Sequence, residues 1–538
     1  MAKRGWFDDD DGSSMDGTSS DGTSSDGALG DGATSSDATT TESTLVAEPT
    51  LVDVVNYPRL EPAVKRFQTS PAAVGVSAVT LICVVAGVVV LARIGVMPPW
   101  LLTLVVSLDL IVALGVVAVL SALWSNPRQV RFWVVTLVAV ALMVGNGVVV
   151  KVGTDYLRFG DRIQAGATDM VVYDIVVRDD GPTEVSQLAG TLMGEDRDDP
   201  LIQAVHSAID ELVKLDFLPV APWTQMIADV IDEKVTSIVI DDALMQILSE
   251  ADPATYEQLR ILISFEVPDE SAKPTPSPTP PPPPGSAYMV YISGIDTYGK
   301  ISTRARSDVN ILMTINPVTG KVLLVNTPRD FYVPLRGKTG YKDKLTHAGV
   351  YGIDVSVGTI EDLYDVKIDY YLRINFSSLI TVVDAVGGID VYSEYAFSAG
   401  GYTFVKGQNH MDGKAALAFS RERHSFATGD RVRGQNQQRV IEGIIHRLSS
   451  PSVLMSYTSV LAAVESSIQT SMPLDVMSSL VKRQLQTGQS WDVESISVNG
   501  SDASEYTYSY PGQRLYVMMP DQATVKTAQE KIQAVQNG

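Results

Sequence analysis

The chain has 538 residues, enough for two or three domains, and its formal net charge is −22. This acidic balance argues against nucleic acid as a partner, because a nucleic-acid-binding protein needs a basic face. The single cysteine, Cys83, excludes an internal disulfide bond, and the five histidines are scattered, so no Cys/His metal cluster is expected. Asp, Gly, Ser and Thr dominate residues 1–70, which we predict to be a disordered acidic tail.

Three apolar runs follow the tail: Ala72 to Ala92, Trp100 to Trp124, and Phe132 to Val150. Each has about the 20 residues that a helix needs to cross a bilayer, so we predict three transmembrane helices within 71–152. Basic residues precede the first run and lie between the second and third, namely Lys65, Arg66, Arg128 and Arg131. Such loops stay in the cytoplasm. We therefore expect a multi-pass protein of the bacterial cell membrane, with a cytoplasmic N-terminus and an extracellular C-terminal part.

Asp109 lies near the middle of the second run, and Asn146 lies in the third. An intramembrane carboxylate is a candidate functional group. No cation lies at the same depth, so we interpret Asp109 as a buried group that helps the helices pack.

The next two segments are expected to be an extracellular accessory domain, residues 153–270, and a proline-rich linker, residues 271–286. In the first, predicted strands and helices alternate, as in a small α/β domain: Met170–Val177, Leu201–Leu215, Trp223–Ile231 and Thr236–Ile240. No phosphate-binding loop or catalytic cluster is visible there, so binding or spacing is the expected role. The linker sequence PTPSPTPPPPPG favours a semi-rigid polyproline II strut and marks a domain boundary.

The last predicted domain, residues 287–538, shows charged residues at the ends of strands. Strands are expected at Tyr288–Ile292, Val309–Asn316 and Lys321–Asn326, the last two joined by an Asn-Pro-Val-Thr-Gly turn. The charged residues that flank them are Asp296, Arg306, Asp308 and Arg329. Because ligand crevices in α/β sheets lie at strand ends, these side chains are candidates for one site.

A second group of charges lies between Asp412 and Gln438 and contains Arg421, Arg423, Arg431 and Arg433. The planar guanidinium group binds two phosphate oxygens at once. In an extended segment Arg421 and Arg423 would point to the same face, and a helix is predicted from Gln435 to Leu448. The pattern favours a phosphate or pyrophosphate site, and surface ion pairs with Glu422 and Asp430 are the alternative.

Together the two groups suit a diphosphate with its metal ion. Asp296 and Asp308 are oxygen ligands of the kind that Mg²⁺ takes, with Mn²⁺ as a second candidate. The remaining diphosphate charge would be neutralised by Arg306, Arg329, Arg421 and Arg423. Phosphoryl transfer asks a protein mainly for positioning and charge stabilisation, which this set can supply.

These residues stand in an ordered series of motifs: Gly294-Ile295-Asp296, Arg306-Ser307-Asp308, Asn326 to Asp330, Val383 to Asp390, Gly407 to Ala418, Arg421-Glu422-Arg423, and Asp430 to Gln438. In order and spacing, the series resembles the LytR-CpsA-Psr family of cell-wall glycopolymer ligases. The resemblance implies a membrane-anchored α/β protein with an α-β-α catalytic domain. The three helices, the accessory domain and the ending Tyr-Thr-Tyr-Ser-Tyr-Pro-Gly resemble capsule-type members most.

The resemblance implies transfer of a polyprenyl-pyrophosphate-linked glycan, capsular or teichoic-acid-like, onto a peptidoglycan acceptor. It implies Asp296 and Asp308 as Mg²⁺ ligands. The residues implied at the pyrophosphate are Arg306, Arg329, Arg421, Arg423, Arg433 and Gln437. Many members have Arg-Gln-Gln where this chain has Asn436-Gln437-Gln438, and Arg431 is the candidate to replace that charge.

Two alternatives stand beside the transferase. A pyrophosphatase acting on the same lipid would use water in place of the acceptor hydroxyl. A non-catalytic regulator of capsule or wall synthesis would bind the lipid-linked precursor without changing it. Loss of Asp296 and Asp308 separates these hypotheses, because only the non-catalytic protein would tolerate it.

Overall fold

The computed structural model describes residues 71–95, 97, 99–123, 130–164, 169–269, 285–295, 297, 300–427 and 429–538. These residues belong to one compact unit, which spans Gln68–Gly538. Some predictions fall outside the described residues: the acidic tail over 1–70, the stretch of the proline-rich linker up to Pro284, and the site residue Asp296.

Long apolar helices form the first part of the described chain: α1 (Pro71–Ile94), α2 (Pro99–Leu123) and α3 (Val130–Gln164). Their apolar stretches have 21, 22 and 26 residues, so each is long enough to cross a membrane. Exposed side chains on these helices include Leu104 and Ile111, whose transfer into lipid is favourable. The helices confirm the three apolar spans predicted from the sequence.

Asp109 of α2 meets an amide of α3. Asn146 Nδ2 lies 3.4 Å from Asp109 Oδ1 and donates to the carbonyl oxygen of Leu142 at 3.1 Å. The contact links two helices, as the predicted packing role requires, but Asp109 is half-buried and not buried as predicted.

The third helix extends well past the apolar run that predicted it. It continues beyond Lys151 to Gln164, and this extension packs on the C-terminal part of the chain. Tyr156 is buried against Leu461 and Tyr457, and its hydroxyl is hydrogen-bonded to Ser478 Oγ. Tertiary packing therefore stabilises α3 beyond the predicted apolar run.

Residues 169–269 form a mixed five-stranded sheet with helices, which we call the accessory domain. Its elements are β1 (Met170–Arg178), β2 (Leu192–Asp196), α4 (Ile202–Asp210), β3 (Asp216–Val220), α5 (Trp223–Ile231), β4 (Ser237–Asp241), α6 (Asp242–Ala251), α7 (Pro253–Tyr256) and β5 (Leu259–Pro268). The strand order is β3-β2-β4-β1-β5. The predicted α/β alternation is confirmed, but α4 ends at Asp210, before the predicted Leu215, because the chain turns there into β3.

The C-terminal domain, as we call residues 285–538, contains the larger of the two main sheets. Its strands are β6 (Tyr288–Ile295), β7 (Ser307–Asn316), β8 (Lys321–Asn326), β9 (Tyr332–Val333), β10 (Asp343–Lys344), β11 (Tyr370–Ile374), β12 (Ile389–Ser393), β13 (Phe397–Ala399), β14 (Tyr402–Phe404), β15 (Gly407–Met411), β16 (Gln469–Thr470), β17 (Asp492–Ser497), β18 (Gly500–Tyr506) and β19 (Arg514–Pro520). Its helices are α8 (Ile353–Tyr364), α9 (Phe376–Ala385), α10 (Gly413–Arg421), α11 (Gly429–Leu448), α12 (Pro451–Met455), α13 (Tyr457–Val464), α14 (Leu474–Thr487) and α15 (Gln522–Asn537).

The central sheet of this domain has six strands in the order β16-β11-β6-β7-β8-β17. β6 is buried along its whole length, and its alternate side chains enter two different cores. Met289 and Tyr291 pack with α8 and α15 on one face, whereas Val290 and Ile292 pack with α11 and α14 on the other. Helices on both faces of the sheet confirm the predicted α-β-α architecture.

The accessory domain is docked onto the C-terminal domain through a shared apolar cluster. Trp223 of α5 packs against Tyr510 with ring centroids 5.7 Å apart, and its Nε1 donates to the carbonyl oxygen of Ser509 at 3.1 Å. Val350 and Leu515 belong to the same buried cluster. A buried interface of this kind fixes the relative placement of the two domains.

We expect Trp223→Ala to lower the free energy of unfolding by about 3–5 kcal/mol, because it removes a buried aromatic side chain and leaves a cavity. Urea unfolding of the full chain in detergent, followed by circular dichroism, measures this change. The control is Leu212→Ala, whose side chain is 47% exposed, and its effect should stay below about 0.5 kcal/mol. Equal losses in the two variants would contradict the docking described here.

Candidate functional site

A cavity of about 700 Å³ lies at the edge of the central sheet where β6 and β11 end. The two strands run parallel, and β7 runs antiparallel to β6, so β7 begins at this edge. Residues of α6, α9, α10 and α11 complete the wall. The cavity brings together most of the site residues predicted from the sequence: Arg306, Asp308, Arg329, Arg421, Arg423, Arg433 and Gln437.

A β-bulge presents Asp308 to this cavity. Ile295 pairs with Ser307, but the preceding Gly294 pairs with Val309, so Asp308 is the extra residue of the ladder. A Cβ added at Gly294 would lie 2.7 Å from Val309 Cβ, so glycine permits the close approach of the strands. The Asp308 carboxylate accepts hydrogen bonds from Arg329 Nη1 at 3.0 Å and from Thr346 Oγ1 at 2.9 Å.

The inner side of the cavity holds Arg306 and Arg329, whose side chains are only 12% and 14% exposed. Arg306 Nη1 donates to Glu250, and Arg329 Nη2 lies 3.7 Å from the same carboxylate. Burial by itself would lower the pKa of Arg329, but the carboxylates of Asp308, Asp330 and Glu250 outweigh burial and raise it. The guanidinium group therefore stays charged at any physiological pH.

Arg421, Arg423 and Arg433 also line the cavity; the first two are exposed, whereas the Arg433 side chain is only 14% exposed. The Arg421 guanidinium lies over the Phe376 ring, with its central carbon 4.0 Å from the ring centroid. Arg433 forms an ion pair with Asp430 at 3.4 Å, one turn earlier on α11. Gln437 follows Arg433 by four positions, so the two side chains share a helix face and line the same cavity.

Two local predictions need correction. Arg421 is the last residue of α10 and does not lie in an extended segment, although it still lines the cavity together with Arg423. α11 begins at Gly429, earlier than the predicted Gln435, so Arg431 and Arg433 are both helical. Residues two positions apart on a helix point about 200° apart. Arg433 consequently lines the cavity, whereas the exposed Arg431 does not.

Sequence reasoning missed Glu250, which lies in α6 of the accessory domain and lines the cavity. It accepts hydrogen bonds from Arg306 and from Lys344 Nζ, the latter at 2.8 Å. Burial would raise the pKa of the Glu250 carboxyl, but the charges of Lys344, Arg329 and Arg306 outweigh burial and lower it to about 2. No motif surrounds Glu250, so the local sequence gives no signal for this role.

Part of the cavity lining is apolar. Its apolar residues are Ile374, Phe376, Leu379, Leu417, Val440 and Ile441. Guanidinium groups and apolar side chains in one cavity suit an amphipathic ligand with an anionic head, because arginine matches phosphate oxygens and burial of alkyl groups is favourable.

Asp308 has the chemistry of a Mg²⁺ ligand. Hydrogen bonds from Arg329 and Thr346 leave lone pairs free, since a carboxylate offers about four acceptor sites. Asp296 and Asp308 follow the paired residues Ile295 and Ser307 of neighbouring strands. Among the described residues, no group of three His, Cys, Asp or Glu side chains could hold a metal ion, so phosphate and water oxygens would have to complete the coordination.

The model of the LytR_cpsA_psr family matches residues 267–531. Polyisoprenyl-teichoic acid–peptidoglycan teichoic acid transferase TagU of Bacillus cereus (strain AH820) is 38% identical over 194 residues, which are 36% of this chain and 63% of TagU. TagU of Bacillus mycoides (strain KBAB4) is 35% identical over 222 residues, which are 41% of this chain and 72% of that protein. The match to the B. cereus relative thus covers slightly less than two thirds of its length.

Solved structures also match part of the chain. The crystal structure of B. subtilis TagV has 27% identity and a TM-score of 0.41, and the match covers 47% of this chain and 98% of TagV. The crystal structure of B. subtilis TagU has 30% identity and a TM-score of 0.37, with 47% and 97% covered. On the family-model match and the identity with the B. mycoides protein, this chain belongs to the LytR_cpsA_psr family.

Proposed function

We propose that the protein is a phosphotransferase that attaches a polyprenyl-pyrophosphate-linked glycopolymer to peptidoglycan. The observation that carries the proposal is the convergence of Arg306, Arg329, Arg421, Arg423 and Arg433 on one cavity whose lining also includes apolar side chains. The TagU relatives are named as teichoic acid transferases, so an anionic polymer of that class is the first donor to test. Capsular polysaccharide, expected from the sequence, is the second.

In the proposed reaction, the oxygen of a peptidoglycan hydroxyl forms a bond to the glycan-linked phosphorus of the diphosphate. The bond between that phosphorus and the bridging oxygen breaks, and the bridging oxygen keeps the electron pair. The glycan is then joined to peptidoglycan by a phosphodiester, polyprenyl phosphate leaves, and the hydroxyl proton is released. Negative charge grows on the departing phosphate, where fixed guanidinium groups stabilise it most.

We further propose that Asp308 and Asp296 hold Mg²⁺, with Mn²⁺ as a second candidate. The cation would neutralise part of the diphosphate charge when bound. Support comes from the position of Asp308 on the cavity and from its unused lone pairs. The arginines would then bind and orient the remaining phosphate oxygens.

For the membrane orientation, we propose a cytoplasmic N-terminus and an extracellular C-terminal domain. The three apolar helices cross the bilayer an odd number of times, so the two ends of the chain lie on opposite sides. The basic residues before α1 and between α2 and α3 favour the cytoplasm for those segments. This orientation places the cavity on the side of the membrane where peptidoglycan lies.

Full-length protein in liposomes, supplied with a polyprenyl-pyrophosphate oligosaccharide, Mg²⁺ and peptidoglycan fragments, should form a phosphodiester-linked conjugate that mass spectrometry detects. Arg421→Ala should slow its formation by about 10²- to 10³-fold, because a fixed positive charge beside the reacting diphosphate is lost. Arg514→Ala, which removes an exposed arginine outside the cavity, should keep the rate of the unaltered protein. Free glycan phosphate formed despite the acceptor would favour the pyrophosphatase, and bound but unchanged lipid would favour the regulator.

Removal of divalent cations with EDTA should stop conjugate formation, and added Mg²⁺ or Mn²⁺ should restore it. In Asp308→Asn, the Mg²⁺ concentration for half-maximal rate should rise by roughly tenfold or more, because one charged ligand is lost. The measurement is a Mg²⁺ titration of the transfer rate. A rate that is insensitive to EDTA would contradict the metal proposal and leave the arginine proposal standing.

A further inference from the structure

The accessory domain reaches the cavity through the end of α6. Ser249 and Glu250 line the cavity, although the other lining residues come from the C-terminal domain. The sequence predicted only binding or spacing for the accessory domain. Its contribution to the wall raises the question of what the Glu250 carboxylate does there.

Three basic side chains surround this carboxylate. Lys344 Nζ donates to Glu250 Oε1 at 2.8 Å, Arg306 Nη1 donates to Oε2, and Arg329 Nη2 lies 3.7 Å from Oε1. Each oxygen thus engages a different partner, and the carboxylate ties Arg306 to Lys344. An arginine side chain loses conformational entropy when it is held in this way. Because Glu250 orders Arg306 before a ligand arrives, ligand binding loses less entropy.

The contact belongs to a rigid interface. α6 is anchored by the buried residues Met245, Ile247 and Leu248, and Gln513 Nε2 donates to the carbonyl oxygen of Ala251 at 2.6 Å, directly after Glu250. The Lys344 side chain is only 5% exposed. The helix that carries Glu250 and the basic partners of its side chain both hold the carboxylate in place. A fixed role in the site is therefore favoured over a mobile one.

We propose that Glu250 is a positioning residue for the pyrophosphate site: it holds Arg306 and Arg329 in the orientation that binds the diphosphate of the donor. The identity of that donor rests on the proposed function, but the orientation of the arginines does not. Glu250 acts through the guanidinium groups and does not itself bind the anion. The accessory domain is accordingly part of the active site.

The test uses the full-length chain and geranylgeranyl pyrophosphate as a binding probe, with transfer rates measured alongside. Glu250→Asp keeps the charge that the buried cations need but shortens the side chain by one methylene group. We expect it to weaken probe binding and to lower kcat, each by about 10-fold, since small misplacements of binding groups have effects up to about 10²-fold. The matched control, Glu257→Gln, alters an exposed carboxylate of the same domain and should change neither quantity.

A double-mutant cycle then separates positioning from a general charge effect. Glu250→Gln should weaken probe binding markedly in the unaltered chain and clearly less in Arg306→Ala, because one of the side chains that it orients is already gone. Melting temperatures of all variants show that binding is compared between folded proteins.

Several results would overturn the proposal. Tighter probe binding by Glu250→Gln would show that the Glu250 carboxylate competes with the diphosphate for the basic side chains. Equal losses in both backgrounds, or unaltered binding and kcat in Glu250→Asp, would leave it a structural residue. If the unaltered protein binds the probe but transfers no glycan, the proposed function fails, and the binding cycle still decides the role of Glu250.

Discussion

Burial of positive charge at the edge of the sheet is the constraint on which the site depends. Arg306, Arg329 and Lys344 have side chains that are 12%, 14% and 5% exposed, and buried cations without partners are strongly destabilising. Their partners are the carboxylates of Glu250, Asp308 and Asp330. Among the residues that the structure describes, three carboxylates thus face the three cations of this inner cluster.

The same balance links the two domains. One of the compensating carboxylates comes from the accessory domain, so the charged cluster is complete only when α6 is docked. The apolar contact of Trp223 with Tyr510 and the hydrogen bond from Gln513 hold this helix in place. A change that weakens the domain interface is therefore expected to alter the geometry of the cavity as well.

The sequence predicted the elements that local patterns determine. Alternating apolar residues and a turn sequence predicted β7 and β8, apolar length predicted three spanning helices, and motif spacing predicted the arginines that line the cavity. What it could not predict depends on tertiary contacts. The bulge at Asp308 arises from pairing with β6, and the role of Glu250 arises from docking of a separate domain. Arg431 was placed in the site as a replacement for the arginine of the family's Arg-Gln-Gln, but its direction depends on where α11 begins, which periodicity alone did not locate.

The length of α3 sets how far the cavity stands from the lipid surface. A helix of 35 residues is about 52 Å long, and its apolar stretch Trp133–Arg158 takes up 26 of those residues, so less than two turns of α3 follow that stretch. Tyr156, near the end of the stretch, is packed into the C-terminal domain, so α3 joins that domain as a rigid strut and not as a flexible tether. In the proposed orientation, such a strut holds the cavity at one height, and under the proposed function it would restrict glycan attachment to the strands of the wall that lie nearest the membrane.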